Sequence, residues 1–302
     1  MSHPKSVAVA VMLVLSLGAS HRASAQVEVD NNFKFNSGQA VQPAFEGWSR
    51  NADGSFDMHF GYLNRNWVQE ISIPVGPNNS IEPGGPDRGQ PTFFYTRTQR
   101  NLFTVTVPKD WGKKEVVWTV TANGKTERAF GWLQPEWEID PAGGAAVGGQ
   151  TSPELKGNKP PVITIDAPAN TRVGQTVRLD TSVVDDGIPK PSAAPKPAVG
   201  QETPPGLVAS NDVPTNVPQL APARNQATTP PGALRGPFLT WMVYRGPASA
   251  TFESRNIPVK DGKAPSAVTF SAPGEYVLLG RASDRVLFTD KLVKVTVADG
   301  GR

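Results

Sequence analysis

The sequence predicts an all-β chain built from two β-sandwich domains. Thirty prolines and 29 glycines punctuate its 302 residues. The apolar runs between them are short, and apolar and polar residues alternate within those runs, as is typical of strands rather than long helices. About 277 residues remain once an N-terminal export signal is removed, a length that favours two domains over one.

Residues 1–25 have the pattern of a secretory signal peptide. Lys5 lies in a short polar start, an apolar stretch covers residues 7–17, and small residues at 23–25 offer a cleavage site. The apolar stretch is too short to span a bilayer, which requires about 20 residues. We therefore expect a soluble, exported product that begins at Gln26, has no membrane span, and resides in the periplasm, outside the cell or at its surface.

Charge and cysteine content argue against several classes of protein. The signal removes two of the 30 basic residues and none of the 27 acidic ones, leaving a formal charge of +1. Nucleic-acid binding gains no support from such a balance. The chain has no cysteine, so a disulfide framework is excluded and each domain must be held by its hydrophobic core.

The first domain is predicted over residues 26–140, with about seven short strands. One of them alternates clearly, and the residues on its apolar face are Phe56, Met58, Phe60 and Tyr62. Asn123 and Gly124 form the strongest hairpin signal in the chain, because both central positions of a type I′ turn require positive φ. Many short strands with frequent turns predict a sandwich.

The second domain is predicted over residues 160–298, after a flexible Gly/Pro-rich linker at 141–159. Its strand pattern stops between residues 188 and 236. That stretch is dense in proline and lacks aromatic residues, so it cannot bury enough apolar surface to offset ordering costs of about 1 to 2 kcal/mol per residue. We predict a disordered, Pro-rich insert in this domain.

The segment FSAPGEYVLLGRASD, residues 270–284, predicts part of a sandwich frame rather than a reactive loop. Tyr276 follows a Pro-Gly-Glu corner and precedes an alternating strand, which is the position of a tyrosine corner. Trp241 lies on the strand that would be strand C. Leu278 stands where an antibody-type domain carries its second cysteine, as suits a sandwich without disulfides.

Several segments of the second domain follow one another as in a known family. In chain order they are PPVITI, VGQTVRLDTSVVDDGIP, LTWMVYRGPASATFES, VTFSAPGEYVLLGRASD and VKVTV. Through them residues 160–297 resemble a PKD-type or related immunoglobulin-like bacterial module, from which the long insert departs. Through FGYLNRN, DRGQPTFF and FTVTVP, residues 43–134 resemble another immunoglobulin-like extracellular module. Such modules serve as spacers, adhesion units or binding appendages, although fold does not fix function.

Candidates for catalysis are few. His59 is the only histidine beyond the signal, and its place beside Asp57 on a polar strand face indicates a solvated surface residue. Glu136, Glu138 and Asp140 surround a tryptophan, but a domain end that runs into a linker cannot hold the fixed geometry that paired catalytic carboxylates require.

Metal and cofactor patterns are also weak. Asp185 and Asp186 precede a glycine, and turn chemistry explains this pattern without a metal. Calcium binding there stays open. Nucleotide-binding and common hydrolase motifs do not occur in the sequence. We therefore predict no enzyme, no catalytic residue, no cofactor and no metal site.

Six of the seven tryptophans fall in the first domain. Trp48 and Trp118 have apolar neighbours that predict burial. The candidates for an exposed binding patch are Trp67, Trp111, Trp132 and Trp137. The sequence thus predicts a secreted, non-enzymatic structural or protein-interaction module of the cell envelope or extracellular space. The alternative is a carbohydrate-binding protein that uses these aromatics; the partner is then an envelope polysaccharide rather than a protein.

Overall fold

A computed structural model describes residues 34–139, 155–190 and 236–300. The predicted signal peptide at 1–25, most of the predicted linker at 141–159 and most of the predicted insert at 188–236 lie outside these residues. The described residues from Phe35 onward form one compact unit, and Lys34 belongs to the unit before it.

Seventeen strands make up most of the described residues, which confirms the predicted all-β class. In the first half they are β1 (Val41–Arg50), β2 (Phe56–Asn64), β3 (Ile71–Ser72), β4 (Asn79–Glu82), β5 (Phe93–Phe94), β6 (Arg97–Val107), β7 (Val116–Ala122) and β8 (Lys125–Gly131). In the second half they are β9 (Val162–Asp166), β10 (Asn170–Arg172), β11 (Thr176–Val184), β12 (Phe238–Arg245), β13 (Ala250–Phe252), β14 (Asn256–Pro258), β15 (Ser266–Phe270), β16 (Gly274–Ser283) and β17 (Phe288–Ala298). A 3-10 turn, Pro135–Trp137, follows β8. Within the described ranges no helix is long and apolar enough to cross a membrane.

The first sandwich packs the sheet β1-β2-β6 against the sheet β4-β7-β8, with a small β3-β5 pair beside them. Alternation builds its core, since every second residue of β7 is buried. Trp118 is fully buried and Trp48 is 2% exposed, as predicted. The hairpin between β7 and β8 turns at Asn123 and Gly124, whose φ values of 49° and 72° confirm the predicted type of turn.

The second sandwich packs the five-stranded sheet β10-β17-β16-β12-β14 against the four-stranded sheet β13-β15-β11-β9. The Tyr276 hydroxyl donates to the Ala272 carbonyl oxygen at 3.1 Å, which confirms the tyrosine corner. Trp241 and Leu278 are both fully buried. The predicted apolar frame therefore takes the place of a disulfide in this domain.

The two sandwiches contact each other directly where β5 and the end of β12 meet. The Val243 amide donates to the Tyr95 hydroxyl at 3.0 Å, and both groups are buried. Arg245 binds the Asp87 carboxylate through two hydrogen bonds of 3.0 and 2.8 Å. Tyr244 adds a hydrogen bond from its hydroxyl to the Gly89 carbonyl oxygen. These contacts are a feature that the sequence pattern did not indicate.

Candidate functional site

Two β-bulges lie on either side of Gly61, the residue at the centre of the β1-β2-β6 sheet. In β1 the register shifts between Phe45 and Gly47, so that Glu46 is an extra residue. In β6 the register shifts opposite the same stretch of β2. A Cβ at Gly61 would lie 2.8 Å from Glu46 Oε2 and nearer still to the Gln99 carbonyl oxygen. Because bulges redirect side chains and are common beside functional sites, this part of the sheet is the strongest candidate for a functional site.

The β1 bulge turns the Glu46 side chain over Gly61, where it is only 13% exposed. Its Oε2 accepts a hydrogen bond from the Asn101 amide. The Arg100 guanidinium lies 3.8 Å from Oε1 and is 78% exposed. Burial raises the pKa of the Glu46 carboxyl, and the Asn101 hydrogen bond and the charges of Arg100 and Arg281 oppose that shift.

Hydrogen bonds from the second sandwich hold the β6 bulge in place. Arg281, on β16, donates to the carbonyl oxygens of Arg100 at 3.2 Å and Asn101 at 2.6 Å. Its guanidinium is itself held by two hydrogen bonds to Asp290, of 2.7 and 2.8 Å. The backbone beside Glu46 is therefore positioned by groups from both sandwiches.

An aromatic wall, made of Phe45, Trp132 and Trp137, lies where β1, the end of β8 and the 3-10 turn meet. The Phe45 and Trp137 rings are 5.4 Å apart and within 5° of parallel. Trp132 stacks on Trp137 at 6.2 Å and on Phe45 at 6.4 Å. Trp132 is 36% exposed and Trp137 is 42% exposed. The wall thus presents two indole rings partly to solvent.

Backbone contacts hold the 3-10 turn that carries Trp137 against β1. The Trp48 indole N–H donates to the Gln134 carbonyl oxygen at 2.7 Å, and the Ile139 amide donates to the Trp48 carbonyl oxygen at 2.8 Å. Gly47 has room for no side chain, since a Cβ there would lie 2.7 Å from the Trp137 carbonyl oxygen. The position of the exposed indole is therefore set by β1 itself.

Between the aromatic wall and β6 lies a groove of about 450 Å³, which we call the Gly61 groove. Gln42, Leu63 and Thr98 are cross-strand partners on the sheet face opposite the core, and they line it. The lining also includes Glu46, Arg100 and Trp137, which can form hydrogen bonds to a ligand or stack on it. The groove offers a carboxylate acceptor, a guanidinium donor and an aromatic surface, which together can hold a polar ligand with an apolar face.

A second cleft, of about 530 Å³, lies between the sandwiches. Pro74, Val75, Pro247 and Val277 line it, and Lys294 is among its charged residues. No tryptophan lines this cleft. Because this cleft has no exposed aromatic ring beside its charged groups, the Gly61 groove is the stronger candidate for a ligand site.

The four tryptophans selected from the sequence take different places. Trp132 and Trp137 come together in the aromatic wall. Trp111 is 8% exposed and donates its indole N–H to the Lys114 carbonyl oxygen, so its expected exposure is not found. Trp67 is half-buried, and the Arg97 guanidinium lies 4.5 Å from its ring centroid. A binding role for any of the four stays a prediction.

His59 is half-buried on the outer face of β2, where the sequence predicted a solvated residue. Its Nε2 lies 2.9 Å from the Ser49 hydroxyl, and burial lowers its pKa while Asp57 opposes that shift. Ser49 is 3% exposed, so a substrate cannot reach its hydroxyl. Asp57 accepts from the Thr106 hydroxyl at 2.6 Å. These four side chains bond one another in two hydrogen bonds between neighbouring strands.

The acidic candidates make local contacts, apart from Glu136, which is exposed, and Oδ1 of Asp185, which is buried without a hydrogen-bond partner among the described residues. Glu138 binds Arg50 at 2.7 and 3.3 Å, and Asp140 lies outside the described residues. Asp185 and Asp186 accept backbone amides at 2.8 to 3.0 Å, as turn residues do. In the part of the chain that the structure describes, no group of three or more His, Cys, Asp or Glu is placed to hold a metal ion.

Glu46, Arg100 and Phe45 were not among the residues selected from the sequence. The available signal was the pair Glu46-Gly47, which interrupts the apolar run of β1 with a charge and a glycine. A glycine inside a strand often marks a bulge or a close approach of backbone. Gly61 carries the same signal in β2.

Comparison with known proteins gives weak structural likenesses only. No family model matches the chain, and no match was found among curated proteins. The chain is similar to domains 4 and 5 of the S-layer protein SbsC, at 9% identity and a TM-score of 0.23, over 62% of this chain and 66% of that one. It is similar to the D00-D0 domain of intimin, at 9% identity and a TM-score of 0.25, over 85% of this chain and 100% of that one. It is also similar to an endo-fucoidan hydrolase of glycoside hydrolase family 107, at 11% identity and a TM-score of 0.23, over 86% and 30%. Likenesses at this level carry no argument about this chain, and the PKD-type resemblance stays a prediction.

Proposed function

We propose that the chain is an exported, non-enzymatic interaction module of the cell envelope or extracellular space, and that it holds its partner in the Gly61 groove. One observation supports this above the others: two bulges converge on Gly61 and place Glu46 and Arg100 beside an exposed indole. A bulge interrupts the regular hydrogen bonds between two strands. Bulges are typical of places where a side chain is redirected toward a functional site.

The non-enzymatic part of the proposal rests on the composition of the groove. Among its described lining residues Glu46 is the only carboxylate. Glycoside hydrolysis generally needs two carboxyl groups about 5 to 9.5 Å apart, one on each side of the scissile bond. Export rests on the signal pattern of residues 1–25, and N-terminal sequencing of the secreted product should read from Gln26.

Carbohydrate is a second candidate function, because the aromatic wall favours it over a protein partner. Trp137 lies flat against Phe45, Trp132 lies beside both rings, and both indoles stay partly exposed, so they offer an apolar surface next to polar groups. Sites for small ligands are usually concave, with a few polar groups that fix orientation, and the Gly61 groove has this character. A folded protein partner would need a larger surface than the groove alone.

Retention of the mature chain on envelope fractions tests the proposal. We expect the native protein to bind an envelope polysaccharide or a defined envelope protein, and Trp132→Ala with Trp137→Ala to lose that binding. Val184→Ala is the control, since Val184 is a 68% exposed apolar residue on the second sandwich. Equal retention of all three proteins would contradict the proposal.

A further inference from the structure

We propose that the Gly61 groove selects a neutral sugar, holding neighbouring hydroxyl groups between Glu46 and Arg100 while the ring stacks on Trp137. This inference rests on the carbohydrate function proposed above and adds the ligand class. It follows from which atoms of the groove are already bonded and which are open to a ligand.

One oxygen of Glu46 is free to accept. Oε2 is taken by the Asn101 amide, whereas Arg100 lies 3.8 Å from Oε1, beyond hydrogen-bond distance. No hydrogen bond from the described residues reaches Oε1. A ligand hydroxyl is the donor that suits it, because a hydrogen bond to an ionised acceptor is among the stronger ones.

The charges of the groove oppose each other and therefore favour a neutral ligand. Arg100 offers donors to a hydroxyl oxygen, while Glu46 accepts the hydrogen of the neighbouring hydroxyl. A sugar carboxylate would meet the like charge of Glu46 in a place where water screens it poorly. Neighbouring hydroxyls, each both donor and acceptor, satisfy both side chains at once.

Size and shape agree with this ligand. The groove, at about 450 Å³, lies within the range of roughly 300 to 1,000 Å³ that is usual for small-ligand sites. Trp137 is 42% exposed and forms one side of the groove. Its ring can cover the C–H face of a sugar while the hydroxyls point to Glu46 and Arg100.

The second sandwich prepares the site before any ligand arrives. Arg281 holds the carbonyl oxygens of Arg100 and Asn101, and Asp290 holds Arg281. The bulge that presents the Asn101 amide to Glu46 is thereby fixed, and fixing a site in its bound form reduces the cost of binding. Sugar affinity in the first sandwich should therefore depend on a residue of the second.

Calorimetric titration of the chain from Gln26 onward tests the inference. The probes are cellohexaose, mannohexaose, xylohexaose and chitohexaose, with hexagalacturonic acid as the acidic probe. We expect at least one neutral hexasaccharide to bind. Hexagalacturonic acid should bind at least about tenfold more weakly than that neutral probe. Glu46→Gln and Trp137→Ala should each weaken neutral binding by about tenfold or more, and Arg281→Ala by a smaller factor. Glu136→Gln, which removes an exposed carboxylate next to Trp137, should leave affinity unchanged.

The outcomes separate the ligand class from the function. If hexagalacturonic acid binds as tightly as the neutral probes, and Glu46→Gln has no effect while Trp137→Ala abolishes binding, carbohydrate binding stands and the inference is overturned. If no hexasaccharide binds, both are overturned. Circular dichroism of each variant shows whether lost binding reflects lost folding; if Trp137→Ala does not fold, Trp137→Leu takes its place.

Discussion

The two sandwiches follow the same alternation of buried and exposed residues but differ in where their ladders break. In the second, β16 and β17 pair without interruption from Gly274 to Ser283. In the first, β1 and β6 are both bulged around Gly61. The second sandwich has a register shift between Val243 and Arg245, and there it meets the first. Irregular pairing in this molecule thus coincides with contacts made beyond the domain's own core.

The largest expected effect is a difference in stability between two variants, in each of which alanine replaces a glycine within a strand, one in each sandwich. Gly61→Ala should destabilise the fold by about 3 kcal/mol, because the added methyl meets a backbone oxygen and the buried Glu46 carboxylate. Gly280→Ala in the second sandwich should cost about 1 kcal/mol, since its Cβ meets side-chain carbons of Ile165 and Trp241, at 3.0 and 3.2 Å, which can shift. Urea unfolding of both variants measures the difference. A Gly61 variant no less stable than the Gly280 variant would contradict this prediction.

The next largest expected effect is a difference in stability between two variants that each lose one tyrosine hydroxyl. Tyr95→Phe should cost about 1 to 3 kcal/mol, because it leaves the buried Val243 amide without a partner where the sandwiches meet. Tyr276→Phe should cost about 1 kcal/mol or less, because the Ala272 carbonyl oxygen is only partly buried. Thermal unfolding ranks the two variants. The reverse order would mean that the contact between the sandwiches contributes less than the tyrosine corner.

Regular parts of the fold could be predicted from the sequence, and the rest depended on distant contacts. The run FLTWMVYR coincides with β12, Phe238–Arg245, because it is a short, nearly continuous apolar run rich in aromatic residues. Strand β4, Asn79–Glu82, gave no such signal. Asn79 is buried there because its side chain accepts from the Trp118 indole at 3.0 Å and donates to the carbonyl oxygens of Ile73 and Pro91. Such tertiary contacts override the low strand preference of asparagine.

The same holds for the candidate site. Trp132 and Trp137 could be selected from the sequence because aromatic residues near turns are often exposed. Glu46 and Arg100 could not, since a bulge is a matter of register between paired strands, here where Phe45 pairs with Phe60 and Phe60 pairs with Phe103. What the sequence carried was a glycine at each point of close approach, and glycine alone does not say what approaches it.

The smallest effect tests the central claim, that the Glu46 carboxylate is held over Gly61 for a ligand rather than for the fold. Burial raises the pKa of Glu46, so the folded state binds its proton more tightly than the unfolded state does. The stability that this group contributes is therefore full at acidic pH and is lost as the pH rises through the raised pKa. Glu46→Gln stays neutral throughout and can still accept from Asn101.

The measurement is the free energy of unfolding of native protein and Glu46→Gln between about pH 4 and 7. We predict that the variant is at least as stable as the native protein at neutral pH, and that its advantage shrinks as the pH falls. Glu136→Gln should show no such trend. A Glu46 variant less stable than the native protein at every pH would contradict the claim, because the carboxylate would then be a structural group of the bulge.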